Sequence, residues 1–197
     1  MAVVKINGSS FKEYYVQKTV ISDKFKNSNR LDLLIPLVQG KRVLHVGFVD
    51  WPITNINNNL HLTLAPHCLR LDGIDINADK AEELKVPNGN NFSNWSSVPN
   101  DYDIILVPEV IEHVGNVEDF LKLVTSRKGV LVITAPDATL IQGHFEYING
   151  ELLEAVHPDH NCHYSPYTLK NTIEKYSDRK VTEMYWVQNQ SVVAICK

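Results

Sequence analysis

Lys41-Arg-Val-Leu-His-Val-Gly47 is a short β-rich run that ends on glycine, and Leu69-Arg-Leu-Asp-Gly-Ile-Asp75 is a second that ends on an acid. Short apolar runs bounded by turn residues are the mark of strands buried on both faces. Asp101-Tyr-Asp-Ile-Ile-Leu-Val107 and Gly129-Val-Leu-Val-Ile-Thr134 repeat the form. Helical patterns lie around them. Residues 29–38 read as a helix with Asn29 as its cap and Gly40 as its stop. Further helices are expected over about 54–67, Ala78–Leu84, Ile111–Thr125 and 167–176, the last capped by Ser165 with Pro166 at its first position. Strands alternating with helices imply a parallel sheet covered on both faces. Val181–Val187 and Ser191–Cys196 flank Gln188-Asn-Gln190 and read as a closing hairpin, an antiparallel edge.

Composition agrees with one domain of ordinary size. The chain has 197 residues, 44% hydrophobic and 21% charged, the range of a globular protein. No apolar run approaches the roughly 18 residues needed to span a bilayer, and the first residues lack a secretory apolar core. Three cysteines, Cys68, Cys162 and Cys196, form no CxxC pair. A reducing, cytoplasmic setting is the expectation. Net charge is −4, with +5 in residues 1–42 and −9 beyond. An acidic body disfavours a nucleic-acid partner. Residues 1–28 stand as an N-terminal extension, and the irregular, histidine-rich stretch 136–166 as an active-site loop.

In such folds ligands sit at the carboxyl ends of the strands. A tight turn at Gly47 lets backbone approach a ligand, and Asp75 can accept from two ribose hydroxyls, which suits a nucleoside cofactor. A plain turn and a helix cap for the segment after Asp75 is the blander alternative. A nicotinamide dehydrogenase is expected to need Gly-x-Gly-x-x-Gly at the first turn, and this chain has one glycine there. Glu109, Glu112 and His113 stand at i, i+3 and i+4, one face of a helix starting at a strand end. Two carboxylates and an imidazole suit a divalent cation, and His157-Pro-Asp-His160-Asn-Cys-His163 offers a fourth ligand. Without metal, His113 or a later histidine acts as general base. A zinc site from His157, His160, Cys162 and His163 is a further alternative.

Val43-Leu-His-Val-Gly47, Gly73-Ile-Asp-Ile76 and Pro108-Glu-Val-Ile-Glu-His-Val114 together resemble class I S-adenosylmethionine-dependent methyltransferases. The similarity runs from about Leu31 to Lys175 and is closest to the ubiquinone-biosynthesis O-methyltransferase branch. It implies a Rossmann-like, doubly wound α/β fold with a seven-stranded sheet, mostly parallel, closing in the antiparallel hairpin. It implies that Gly47 faces the methionine part of S-adenosylmethionine, that Asp75 holds the ribose and Ile76 the adenine. Asn94 and Trp95 stand where relatives carry an adenine contact, and Pro108 and Glu109 flank the cofactor. Asp50 would stand in for some of the polar groups missing from the turn. The family's Asp-x-Gly-x-Gly-x-Gly is here His45-Val-Gly47-Phe-Val-Asp50-Trp51, whose side chains crowd the cofactor or demand a reshaped turn.

The small-RNA 3′-end 2′-O-methyltransferases resemble the chain in a second place. Their pattern selects Glu109, Glu112, His113 and His160 as ligands of magnesium or manganese, with the metal activating a hydroxyl; the residues themselves offer His113 and His160 as the catalytic histidines. The expected activity is O-methyl transfer to a small-molecule or saccharide acceptor, Phe145, Tyr147 and Tyr164 suiting a sugar or another polyhydroxyl and, nearly as well, a phenolic ring. A non-catalytic cofactor- or partner-binding protein on the same fold, and an RNA 2′-O-methyltransferase, are the alternatives. A homodimer is left open.

Overall fold

The computed structural model describes residues 2–51 and 55–197. In chain order the strands are β1 (Val3–Ile6), β2 (Ser9–Lys12), β3 (Ser22–Phe25), β4 (Arg42–Val46), β5 (Arg70–Ile74), β6 (Asn91–Phe92), β7 (Asp101–Pro108), β8 (Lys128–Pro136), β9 (Phe145–Ile148), β10 (Glu151–Glu154), β11 (Val181–Val187) and β12 (Ser191–Cys196). The α-helices are α1 (Arg30–Val38), α2 (Leu60–Leu64), α3 (Val117–Thr125) and α4 (Pro166–Tyr176).

One eight-stranded sheet runs in the order β3-β11-β12-β8-β7-β4-β5-β6. β12 alone runs against its neighbours; every other adjacent pair is parallel. Alternation along the strands sorts the core onto two faces. Leu44, Val46, Ile105, Val107, Leu131 and Ile133 meet Leu121 and Val124 of α3 and Leu169 and Ile173 of α4. Val43, Ile104, Leu106 and Val132 meet Leu33, Leu34 and Val38 of α1 and Leu60 and Leu64 of α2. Both faces are therefore covered, which is why the central strands read as near-continuous apolar runs.

The expected sheet of seven strands has eight. The added strand is β3, parallel to β11 through Tyr185 opposite Ser22 and Val187 opposite Phe25. The closing hairpin is consequently not an edge: β12 sits between β11 and β8, and β3 covers β11. β6, at the opposite border, has two residues and so carries no period of its own.

Helices shorten where polar side chains compete for backbone. The expected helix over about 54–67 starts outside the described residues. Its remainder divides into a 3-10 turn at Ile56–Asn58, then α2, then a 3-10 turn at Ala65–His67. Ala78–Leu84 forms two 3-10 turns in place of a helix. Ile111–Thr125 breaks in two: Ile111–His113 is one 3-10 turn, and α3 begins afresh where Asn116 accepts from the Asp119 N–H. α1 and α4 keep their predicted caps, with Asn29 accepting from Leu31 and Ser165 forming a reciprocal capping box with Thr168. Within 136–166 lies an antiparallel hairpin, β9–β10. The N-terminal stretch holds the β1–β2 hairpin before β3. Among the described residues no helix is long and apolar enough to cross a membrane.

Candidate functional site

β4, β5 and β7 are parallel and adjacent, so their carboxyl ends open on one side. There a cavity of about 660 Å³ is lined by Gly47, Asp50, Asp75, Ile76, Pro108, Glu109, His113 and His160, eight of the predicted site residues. Asn94, Trp95 and Glu112 do not line it. Asn94 caps the short turn that follows β6, accepting from Ser96, and Trp95 packs on the core with Arg127 stacked over its ring.

The turn after β4 requires glycine. Gly47 has φ +72°, and a Cβ there would overlap Val110 Cγ2 in the turn after β7. The Gly47 N–H donates to the Ile74 carbonyl at 2.9 Å, which places the turn beside Asp75. The bulky residues that replace glycines in this turn, Val49 and Trp51, still border the cavity but are held by packing at its edge. Val49 is buried with Phe48, Ala81 and Leu84, and Trp51 lies outward under the Lys80 ammonium. Asn59 ties the loop together, donating to the Phe48 carbonyl at 3.1 Å and to Asp50 Oδ2 at 3.3 Å. This is a reshaped turn.

Asp75 accepts from the Val49 N–H through Oδ2 (3.1 Å) and from the Asn77 N–H through Oδ1 (2.8 Å). Burial raises its pKa above the usual carboxylate value, and those two N–H donors oppose the rise. Each oxygen keeps a lone pair for a further donor. Beside it Ile76 is 89% exposed at the cavity rim, an apolar side chain with nothing packed on it.

Glu109 follows β7 directly in left-handed backbone, φ +51°, a conformation that non-glycine residues seldom hold without surrounding constraint. Its N–H donates to the Thr134 carbonyl and hydroxyl, and that hydroxyl donates back to Glu109 Oε1 at 2.6 Å. Burial raises the Glu109 pKa. Arg30 lines the cavity as well, close enough to favour the charged form of Glu109. A cation at the first position of a helix opposes the helix dipole. That misfit is the signal in the sequence by which Arg30 could have been found.

Glu112 is buried, and neither carboxyl oxygen has a hydrogen-bond partner among the described residues. Desolvation, and then the charge of Glu109, push its pKa up to about 8, so it is mostly protonated at pH 7. The histidines converge instead. His113, His157 and His160 each bring a ring nitrogen within 4.8 Å of the others, and all three line the cavity. Neither glutamate belongs to that group, because residues 111–113 form a single turn where the i, i+3, i+4 pattern supposed a helix face. Cys162 packs against the core and His163 against the Phe145 ring. Burial lowers the His113 pKa, and burial with three neighbouring imidazoles takes His160 to about 4. Both are uncharged at neutral pH.

No family model matches the chain, and no curated protein matches it. Solved structures do. An S-adenosylmethionine-dependent methyltransferase from Aquifex aeolicus is 16% identical, with TM-score 0.59 over 85% of this chain and 87% of that one. One from Mesorhizobium loti is 11% identical, with TM-score 0.56 over 85% and 95%. Magnesium protoporphyrin IX methyltransferase from Synechocystis, solved with bound SAH, is 14% identical, with TM-score 0.51 over 85% and 81%. The chain therefore has the fold of class I S-adenosylmethionine-dependent methyltransferases. At these identities the likeness is one of fold.

Proposed function

We propose that the cavity binds S-adenosylmethionine and that the chain transfers its methyl group to a hydroxyl of a small molecule or saccharide. One observation carries the proposal: the glycine turn, the ribose-type acid and the histidine group line a single cavity at the strand ends of this fold. The donor set suits a zwitterionic nucleoside. Asp75 accepts from ribose hydroxyls, the exposed Ile76 covers an adenine face, the Gly47 turn and Pro108 border the methionine part, and Arg30 is the cation for its carboxylate. The cofactor supplies a methyl group on a sulfonium, open to in-line attack.

The chain's own residues do the rest. Glu109, fixed in its strained backbone by Thr134, shapes the floor between the cofactor end and the acceptor end. The histidine wall holds uncharged imidazoles toward the acceptor oxygen. Without an ion, His113 is the better proton acceptor of the two predicted, because a base at about pKa 4 such as His160 takes a hydroxyl proton poorly at pH 7. Holding the oxygen near the methyl group supplies most of the acceleration.

A second reading, a non-catalytic cofactor or partner binder, is favoured by one feature: both Asp75 oxygens already accept backbone N–H groups. Calorimetric titration of S-adenosylmethionine into the purified chain, in chelator, tests the proposal. Micromolar binding is expected, weakened about tenfold or more in Ile76→Asp, whose side chain supports nothing in the fold. Absence of binding overturns the cofactor assignment. Binding without turnover on any hydroxylated acceptor supports the second reading.

A further inference from the structure

We propose that His113, His157 and His160 form a binding site for one divalent transition-metal ion of the zinc class, at the acceptor end of the cavity. The group departs from the oxygen-rich set that the sequence suggested, and so does the ion. Magnesium and manganese favour carboxylate and water oxygens, whereas imidazole nitrogen favours zinc, cobalt, nickel and copper.

Three observations support the site. First, the three nitrogens lie within 4.8 Å of one another. A tetrahedral zinc ion with Zn–N bonds of about 2.0–2.1 Å holds its nitrogens a little over about 3 Å apart. Closure thus needs movement of up to about 1.5 Å, and His157, exposed on its loop with its Nδ1 accepting from the Asp159 N–H at 3.3 Å, is the ligand placed to supply it. Second, the ligands are held by backbone. The His160 N–H donates to the His157 carbonyl at 3.0 Å, a tight turn that presents both rings together. The Asn161 N–H donates to the Glu112 carbonyl at 2.8 Å, and Asn161 Nδ2 to the His113 carbonyl at 2.7 Å. Those bonds clamp the loop to the turn that carries His113. Third, His160 Nδ1 is buried with no partner among the described residues, a ring nitrogen that a bound ion would satisfy. Three imidazoles leave a coordination position open, and the cavity is the space it would face.

The role of the ion rests on the methyltransferase reading, but its binding does not, and the two are tested apart. The full chain, stripped with chelator and dialysed, is titrated with Co²⁺ alone while visible absorption is followed. One equivalent giving the intense bands of a four- or five-coordinate ion, displaced by one equivalent of Zn²⁺ and untouched by millimolar Mg²⁺, is the expected result. His157→Ala should weaken binding about tenfold or more, while His144→Ala, an exposed histidine outside the group, should leave it unchanged. Wild-type affinity in His157→Ala, or only weak six-coordinate spectra in the native chain, overturns the site. So does loss of binding in Glu112→Gln with His157→Ala unaffected, since the ligands would then be carboxylates. Metal binding without S-adenosylmethionine binding overturns the methyl-transfer reading alone. Cofactor binding in chelator without metal binding overturns this site alone.

Discussion

Gly47 shows how a single atom governs the cavity. Its left-handed φ and its closeness to Val110 bring the turns after β4 and β7 together. Gly47→Ala should cost about 2–4 kcal/mol, a sum of backbone strain and overlap, read as a lowered urea midpoint. Adding Val110→Ala should recover the overlap part and leave about 1–2 kcal/mol of backbone strain. Full recovery would show that φ is not at issue. Gly47 and Asp75 could be read from the chain because a residue ending a buried strand has few places to be. Glu112 could not. Its spacing from Glu109 gives a shared face only on a helix, and residues 111–113 make one turn, which turned the carboxyl inward. His157 lies in a histidine-rich run, and which of its members meets His113 depends on the fold of the loop.

Among elements, the contact of β4 with α2 carries a proton-sensitive pair. His45 and His61 are buried, their Nδ1 atoms 3.3 Å apart, so one donates and the other accepts. Burial first, and then other charges including its partner, hold His45 well below the usual imidazole value; burial takes His61 to about 4. Native His61 binds a proton only below that value, whereas unfolded His61 binds one below about 6.5. Stability from this group is complete above about pH 6.5 and is lost as pH falls toward 4. Glu112 works the other way, its raised pKa removing stability as pH climbs from about 4.5 to 8. The difference between His61→Gln and the native chain isolates the imidazole. From pH 7.5 to pH 4 the variant should gain about 3 kcal/mol relative to the native chain, read from urea unfolding at the two values. A constant difference would mean that the pair is solvated. α1 and α4 were legible because Asn29 and Ser165-Pro166 announce their starts. α2 and the turns around residue 80 were not, since apolar spacing there came without length.

For the whole molecule, order falls off from the sheet's centre. β4, β7 and β8 are covered on both faces, while β1–β2 and β9–β10 pair only with each other and expose Val3, Phe11, Tyr147 and Leu152. Amide hydrogen exchange should therefore be slowest at residues 43–46, 104–107 and 131–135 and fastest in the two small hairpins. Equal protection in β9–β10 and β7 would mean that the hairpin is covered in solution. The same gradient decided what could be read. Central strands are apolar because the core demands it, whereas Ser22-Asp-Lys-Phe25 joins the sheet through its backbone and the single ring of Phe25 on Tyr185, and carries no apolar period. The middle of the sheet was therefore legible in the chain, and its border was not.

Asn161 spans the distance between a turn set by β7 and a loop whose own hydrogen bonds are few. It serves two successive carbonyls of that turn, one with its backbone and one with its side chain. Two clasps on neighbouring links hold more firmly than either alone. The stretch that carries His157 and His160 is therefore pinned to the turn that carries His113, and one asparagine keeps that wall of the cavity in one piece.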